Sequence, residues 1–341
     1  MVLLVQYFLI LFLFFQNSKM PSKINYPSIT LPNGKTMPQF GLGTWLSEPG
    51  QVKAAVEHAI DIGYRHIDCA YCYQNQNEVG EAIKNKISQG VVKREDLFIT
   101  TKLWNTYFRK ENMREGLEAN YNELGLDYID LILLHWPTAF KLNEYKEIMP
   151  FKDLHDNSEE VSPVNVWTNL VNLFKSDDYK NRLGAIGVSN YNVAQLEALK
   201  KNCDYQPDMN QYEGHPYLVQ KELSDYCKNN NIPVTNYSPL GNPGIGDWET
   251  NKGKARLLDN ETVKNLAEKY NKDAGAILIK FCLQRGHVCI PKSVTPKRIE
   301  SNSNVFDFEI SDEDMKVLED LNGPVRYCVV PDWKQNVNFP F

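Results

Sequence analysis

At 341 residues, 42% hydrophobic and 23% charged, the chain has the balance of a folded globular protein and not of a disordered one. Its formal net charge of -6 excludes the basic field that a nucleic-acid scaffold needs. Seven cysteines, an odd number spread over a long chain, read as free thiols in a reducing compartment and not as a disulfide framework.

Residues 2–15 are nearly all apolar, about the length of a signal-peptide core and too short for a comfortable membrane span. No Lys or Arg precedes this run, and no small-residue cleavage site follows in Gln16-Asn17-Ser18-Lys19. A second methionine, Met20, stands just before the globular sequence. Residues 1–23 are therefore read as a hydrophobic leader, with a signal peptide, an anchor and a non-native start all left open. Residues 24–341 are read as one folded domain. The glycosylation pattern Asn236-Tyr237-Ser238 falls in an expected buried strand, which counts against a secretory lumen and for a cytoplasmic setting.

The folded part opens with Ser28-Ile29-Thr30-Leu31, a turn at Asn33-Gly34, and Lys35-Thr36-Met37. An Asn-Gly pair between alternating residues predicts a β-hairpin. Strand patterns follow at 40–43, 65–69, 97–101, 128–134, 185–188, 207–211, 233–237 and 288–290. Helical patterns fill the gaps at 51–62, 77–89, 112–124, 164–174, 193–200, 218–229, 261–270 and 296–303. Eight strands, each followed by a helix, predict an α/β fold of the (β/α)₈ TIM-barrel type. Extra helices are expected at 274–284 and 312–321. A six-stranded dinucleotide-binding sheet fits less well, because Gly41-Leu42-Gly43 lacks the third glycine of its fingerprint. Three irregular stretches, 138–163, 241–254 and the tail beyond Gly323, are the candidate walls of a pocket.

Three of the strands lead to polar residues at one end. The run 65–68 ends on Asp68 and leads to Tyr73; 97–101 leads to Lys102; 128–134 leads to His135. In a closed barrel these ends surround one mouth, where such folds carry their chemistry. A buried ammonium favours a phenolate, so Lys102 is expected to make Tyr73 an unusually acidic phenol, with Asp68 keeping the lysine charged. A neutral His135 could hydrogen-bond a substrate carbonyl oxygen. Singly, each residue has a bland reading: a buried ion pair, a satisfied core histidine, a packing tyrosine. Together at the strand exits they point to general acid catalysis on a carbonyl.

Cys69 and Cys72 form a Cys-x-x-Cys pair near this site, read as free thiols by a pocket in preference to a redox motif. No zinc-ligand spacing, nucleophile elbow or Walker-type loop is present. At the eighth strand exit, Ile290-Pro291-Lys292-Ser293-Val294-Thr295-Pro296-Lys297-Arg298 suits a phosphate such as the 2′-phosphate of NADP.

These residues resemble the aldo-keto reductases, close to the aldose reductase and aldehyde reductase branch, over essentially all of residues 24–341. The resemblance is carried by Gly63-Tyr64-Arg65-His66-Ile67-Asp68 with Tyr73, and by Asn77-Glu78-Val79-Gly80. Thr101-Lys102-Leu103-Trp104, His135-Trp136-Pro137, Gly187-Val188-Ser189-Asn190 and Ile290-Pro291-Lys292-Ser293 complete it. It implies NADPH bound across the barrel mouth, hydride transfer to an aldehyde or ketone, and action as a monomer on a small-molecule substrate. Tyr73 would be the proton donor, tuned by Lys102 and Asp68, with His135 orienting the carbonyl. Ser189, Asn190 and Gln211 would hold the carboxamide, and Tyr237 would stack on the nicotinamide. Thr44, Trp45, Ser238 and Leu240 would line the cofactor channel, while Lys292, Ser293, Val294, Arg298 and Asn302 would take the adenosine phosphate end. Trp45, Trp136 and Trp248 would wall the substrate pocket, and Cys328 matches a pocket-side cysteine. Gly244 and Ser301 depart from an Asp and a Glu that help hold the cofactor in many relatives, and Val325 replaces a tail tryptophan. An alternative within the resemblance is an NADPH-binding subunit that senses redox state without significant turnover.

Overall fold

The structure, a computed structural model, describes residues 26–143, 146–148, 154–241, 253, 255–323, 325–328 and 330–341. The expected leader, Gly244 and Trp248 lie outside the described residues.

Strands β1 (Ser28–Thr30) and β2 (Thr36–Pro38) pair antiparallel as the expected hairpin. The turn is tight because Gly34 adopts φ +87°. Eight parallel strands then follow in sheet order: β3 (Leu42–Gly43), β4 (His66–Asp68), β5 (Phe98–Leu103), β6 (Leu131–Leu134), β7 (Ile186–Ser189), β8 (Asn210–Glu213), β9 (Val234–Tyr237) and β10 (Val288–Cys289). The sheet closes on itself at the β3–β10 seam. There Gly41 N donates to Cys289 O at 3.0 Å, Cys289 N to Gln39 O at 3.0 Å, and Gly43 N to Pro291 O at 3.1 Å. The expected TIM barrel is present.

Helices α1 (Val52–Asp61), α2 (Gln76–Ser88), α3 (Lys110–Leu124), α4 (Pro163–Phe174), α5 (Val193–Asn202) and α6 (Lys221–Asn229) wrap the outside in register with the sequence patterns. Next come α7 (Glu261–Tyr270), α8 (Ala274–Gln284), α9 (Pro296–Ser303) and α10 (Asp312–Glu319). One assignment reverses. The expected extra helix, α8, is the barrel helix of its unit: it packs on β10 and α9 and is buried on nearly every face from Ala276 to Leu283. The expected barrel helix, α7, lies outside it, packed on α8 and α10. A helix apolar on nearly every side belongs in the interior, and Ala-Ile-Leu-Ile-Lys-Phe-Cys-Leu is such a run apart from Lys280, whose ammonium is paired with Glu309 at 2.8 Å.

Several boundaries also move, and two of the shifts have a plain cause. Strand β8 starts at Asn210 and not at 207, because Pro207 has no N–H and the Asp208 side chain accepts from Ile186 N (3.1 Å), Asn33 Nδ2 (3.2 Å) and Tyr205 OH (2.7 Å). Helix α6 starts at Lys221 and not at 218, because His215 and Leu218 bridge each other and Gln220 turns at φ +48°.

The hairpin plugs one end of the barrel. Leu31 and Met37 enter the interior cluster formed by Phe98, Leu131, Leu133, Ala185, Met209, Val288 and Ile290. Asn33, at the turn, is tied to Asp208 and to Gly184 O. The opposite end, where the strands finish, is left open. Around the barrel, Gly80 of α2 lies against the last residue of α3, and a Cβ there would overlap the Leu124 carbonyl oxygen. Gly80→Ala is therefore expected to destabilise the protein by at least about 2 kcal/mol, through forced separation of α2 and α3. Urea denaturation measures it, and an unchanged midpoint would refute the close packing.

Candidate active site

The strand ends place the residues expected to act together. Asp68 ends β4, Lys102 is the next-to-last residue of β5, and His135 directly follows β6. Tyr73 closes a single 3₁₀ turn, Tyr71–Tyr73, just beyond β4. Along β5, Phe98, Thr100 and Lys102 share one face, and Phe98 sits in the interior cluster, so Lys102 also points inward.

Lys102 is 1% exposed. Its Nζ donates to Asp68 Oδ1 at 2.5 Å, to Cys69 O at 2.9 Å and to the Tyr73 hydroxyl at 3.2 Å. These three acceptors use all three of its N–H groups. Asp68 Oδ2 accepts from Gln211 Nε2 at 2.8 Å. The Tyr73 oxygen thus accepts from lysine, while its own O–H is free to face the cleft that Tyr73 lines.

The direction of the phenol's proton affinity differs from expectation. Burial pushes the Tyr73 phenol well above its ordinary value of 10.0, and the Asp68 carboxylate adds to the rise. Removal from water disfavours the phenolate, and the lysine's charge is shared with a closer carboxylate. Tyr73 therefore rests with its proton in place. Burial likewise holds His135 neutral, well below 6.5, with the Lys102 charge as a second cause.

Beside this set, Ser189 Oγ donates to Gln211 O at 2.8 Å. Asn190 Nδ2 donates to Ser189 Oγ (3.2 Å) and His135 O (3.1 Å), and Tyr237 OH donates to Asn190 Oδ1 at 2.7 Å. Asn190 and Ser238 both adopt left-handed backbone, φ +65° and +50°, so the chain turns sharply as it leaves β7 and β9. Thr44 Oγ1 donates to Asp68 O at 3.0 Å, and the Trp45 ring stands 6.3 Å from that of Tyr73.

A cleft of about 1050 Å³ crosses this mouth. Tyr73, His135, Trp136 and Cys328 line it around the phenol. Thr44, Trp45, Asp68, Ser189, Asn190, Gln211, Tyr237, Ser238 and Leu240 continue it, and Lys292, Ser293, Val294, Arg298 and Asn302 extend it toward α9. Lys102 lies behind Tyr73 and is not part of the lining. Two of the expected wall segments do line the cleft, 138–163 through Ile148 and the tail through Val330, Pro331 and Trp333, and Cys72 lies by the pocket as expected. Sequence reasoning did not single out those individual wall residues or Trp104. Trp104 was within a quoted motif, but the tail residues carry no periodicity that could reveal them.

At the far end, Arg298 lines the cleft, and its guanidinium makes no hydrogen bond or ion pair with another described residue. The N-terminus of α9, with Pro296 in its first turn, lacks a side-chain cap. Lys292 Nζ donates across the cleft to Leu46 O at 2.7 Å. Ser301 Oγ turns back to Arg298 O at 3.3 Å. All seven cysteines are free thiols; Cys69 Sγ donates to Thr100 O and is fully buried, so Cys69 and Cys72 are not a pair.

Comparison with known proteins gives concordant matches. The sequence model described as the aldo/keto reductase family matches residues 37–323. Aldo-keto reductase family 1 member A1-A of Danio rerio is 44% identical over 304 residues, covering 89% of this chain and 91% of its own length. Among solved structures, the aldose reductase of Schistosoma japonicum is similar with TM-score 0.82 and 36% identity, over 92% of this chain and 98% of that one. A Bombyx mori aldo-keto reductase in complex with NADP gives TM-score 0.83 and 35% identity, over 93% and 100%.

One wall of the cleft is held by a buried carboxylate. Glu213, ending β8, accepts from Tyr327 N at 2.7 Å, Cys328 N at 3.0 Å and His215 Nε2 at 2.9 Å. It thereby fastens the C-terminal tail to the barrel rim. Burial would raise its pKa, but His215 and the Tyr327 amide outweigh that and hold it below 4.5. A depressed carboxylate stabilises above its unfolded value and loses that contribution as pH falls through the folded one. Hydrogen exchange at the Tyr327 and Cys328 amides is therefore expected to stay slow at mildly acidic pH and to accelerate only below about 4.5. Glu213→Ala should remove the protection at every pH; protection surviving in that variant would show that another contact holds the tail.

Proposed function

The chain belongs to the aldo/keto reductase family, and from that premise we propose that it reduces aldehydes or ketones to alcohols with NADPH, Tyr73 donating the proton. The observation that carries this reading is the Tyr73 hydroxyl held 3.2 Å from a lysine whose other two donors are fixed by Asp68 and Cys69 O.

The residues present suit such a cofactor. Arg298 and the uncapped N-terminus of α9 offer a guanidinium and backbone N–H groups to a phosphate at one end of the cleft. In this reading Lys292, Ser293, Val294, Arg298 and Asn302 hold the adenosine phosphate end. Ser189, Asn190 and Gln211 would hold the carboxamide and Tyr237 would take the ring, while Thr44, Trp45, Ser238 and Leu240 line the channel. The reduced nicotinamide supplies the two electrons and the hydrogen that reach the carbonyl carbon. Tyr73 keeps a proton on its hydroxyl oxygen and gives it to the carbonyl oxygen as that becomes an alkoxide. The ammonium of Lys102 then stabilises the phenolate, and Asp68 keeps that ammonium charged and in place. Neutral His135 directs the carbonyl oxygen toward Tyr73. Trp45 and Trp136 wall the substrate from water, with Cys328 beside them. The protein works as a cytoplasmic monomer on a small-molecule carbonyl substrate, its residues 24–341 forming a single domain. No observation favours the alternative of a redox-sensing subunit without turnover.

Three measurements test this reading. Tyr73→Phe should lower kcat for aldehyde reduction by about 10²–10⁴-fold while leaving NADPH binding intact, and near-normal turnover would refute the assigned role. Because His135 stays neutral, the pH profile of reduction should show no inflection near 6.5; an inflection there that His135→Asn abolishes would contradict the assignment. Changing Lys297 and Arg298 together to Met should weaken NADPH by about 10–100-fold and leave NADH nearly unaffected, whereas equal losses would argue against a 2′-phosphate contact.

A further inference from the structure

Cys72 precedes Tyr73 in the turn after β4, and its side chain lines the cleft. Its Sγ lies 3.4 Å from His135 Nδ1, within reach of a sulfur hydrogen bond. The rest of His135 is already fixed. Its N donates to Leu103 O at 3.2 Å, and its carbonyl accepts from Asn190 Nδ2 at 3.1 Å. Tyr73 and Trp104 meet its ring edge-on, with centroids 5.7 and 5.2 Å away. These contacts leave one thing open, which ring nitrogen bears the proton. A neutral imidazole has a single N–H, so the nitrogen that accepts a hydrogen bond is the one without it.

We propose that the Cys72 thiol donates to His135 Nδ1, placing the imidazole proton on Nε2 and turning that N–H toward the cleft. An imidazole nitrogen is a far stronger acceptor than a thiol sulfur, so S–H to N is the better of the two directions. Burial keeps both groups in the neutral forms that this bond requires. Nε2 makes no hydrogen bond with another described residue, and His135 lines the cleft. The consequence rests on the reductase reading. An Nε2–H gives the carbonyl oxygen a second donor beside the Tyr73 hydroxyl, whereas the other tautomer would meet that oxygen with a lone pair. Cys72 is then a positioning residue: it acts through His135 and does not touch the reacting oxygen.

The test is nitrogen-15 NMR of the NADP⁺-loaded protein labelled at histidine, with kinetics of Cys72→Val and Cys72→Ser. The His135 signals are those lost in His135→Asn. In the wild type they should show a protonated Nε2 and a bare Nδ1. Cys72→Val should give mixed tautomers and lower kcat by about 10-fold, with NADPH affinity unchanged; Cys72→Ser should restore both readouts. A wild-type spectrum with the proton on Nδ1, or Cys72→Val with an unchanged spectrum and unchanged kcat, would overturn the proposal. The NMR readout needs no turnover. A wild type that reduces no aldehyde yet shows the Nε2 proton would sink the reductase reading and leave the thiol assignment standing.

Discussion

The ion pair of Asp68 and Lys102, sealed inside the barrel mouth, is the contact on which the rest of the site depends. Removing one partner of such a pair strands a charge away from water, typically a loss of about 3–5 kcal/mol. Here the pair also does geometric work. The ammonium has three donors and spends them on Asp68, Cys69 O and Tyr73, so the phenol oxygen is held at a set distance from a fixed positive charge. Gln211 occupies the remaining carboxylate oxygen and links β8 to the pair on β4 and β5. Register between parallel strands is what makes this possible, since a slip of one residue would turn Lys102 out of the interior.

The pair sits in a sea of neutral groups. Burial raises Tyr73, Tyr237 and Cys72 and lowers His135, so each of these rests uncharged. Such a site holds loaded proton donors, with the Lys102 ammonium fixed beside Tyr73. That arrangement favours giving a proton to an oxygen that acquires charge and resists leaving one ionised beforehand. In the proposed reaction, the acidity of Tyr73 belongs to the moment when charge develops and not to the resting phenol.

The two ends of the barrel divide the labour. At one end the hairpin inserts Leu31 and Met37 into the interior and fastens its turn to Asp208, which makes a closed, rigid base. At the other end the strands finish in short turns with left-handed residues at Asn190 and Ser238, leaving a cleft. The tail returns over this open end because Glu213 accepts two of its backbone amides, and it brings Val330, Pro331 and Trp333 to the wall. A scaffold made rigid below can carry an adaptable rim above.

Much of this was legible from residue order. The Asn-Gly hairpin, the alternation of strands and helices, and the polar residues Asp68, Lys102 and His135 at strand ends are local patterns, because strand and helix periods are written in neighbouring residues. Even the place of helix α8 was readable, since its run is apolar on nearly every side, although alternation alone misassigned it. Other features depend on residues far apart in the chain. The upward shift of Tyr73 comes from burial contributed by many elements, the thiol of Cys72 meets His135 across 63 positions, and Glu213 holds a tail more than 110 residues away. Sequence alone determined which groups stand at the barrel mouth; only the tertiary structure decided how strongly each holds its proton and what orients it. The reason is that side-chain identity is local, whereas dielectric surroundings and hydrogen-bond partners are created by packing.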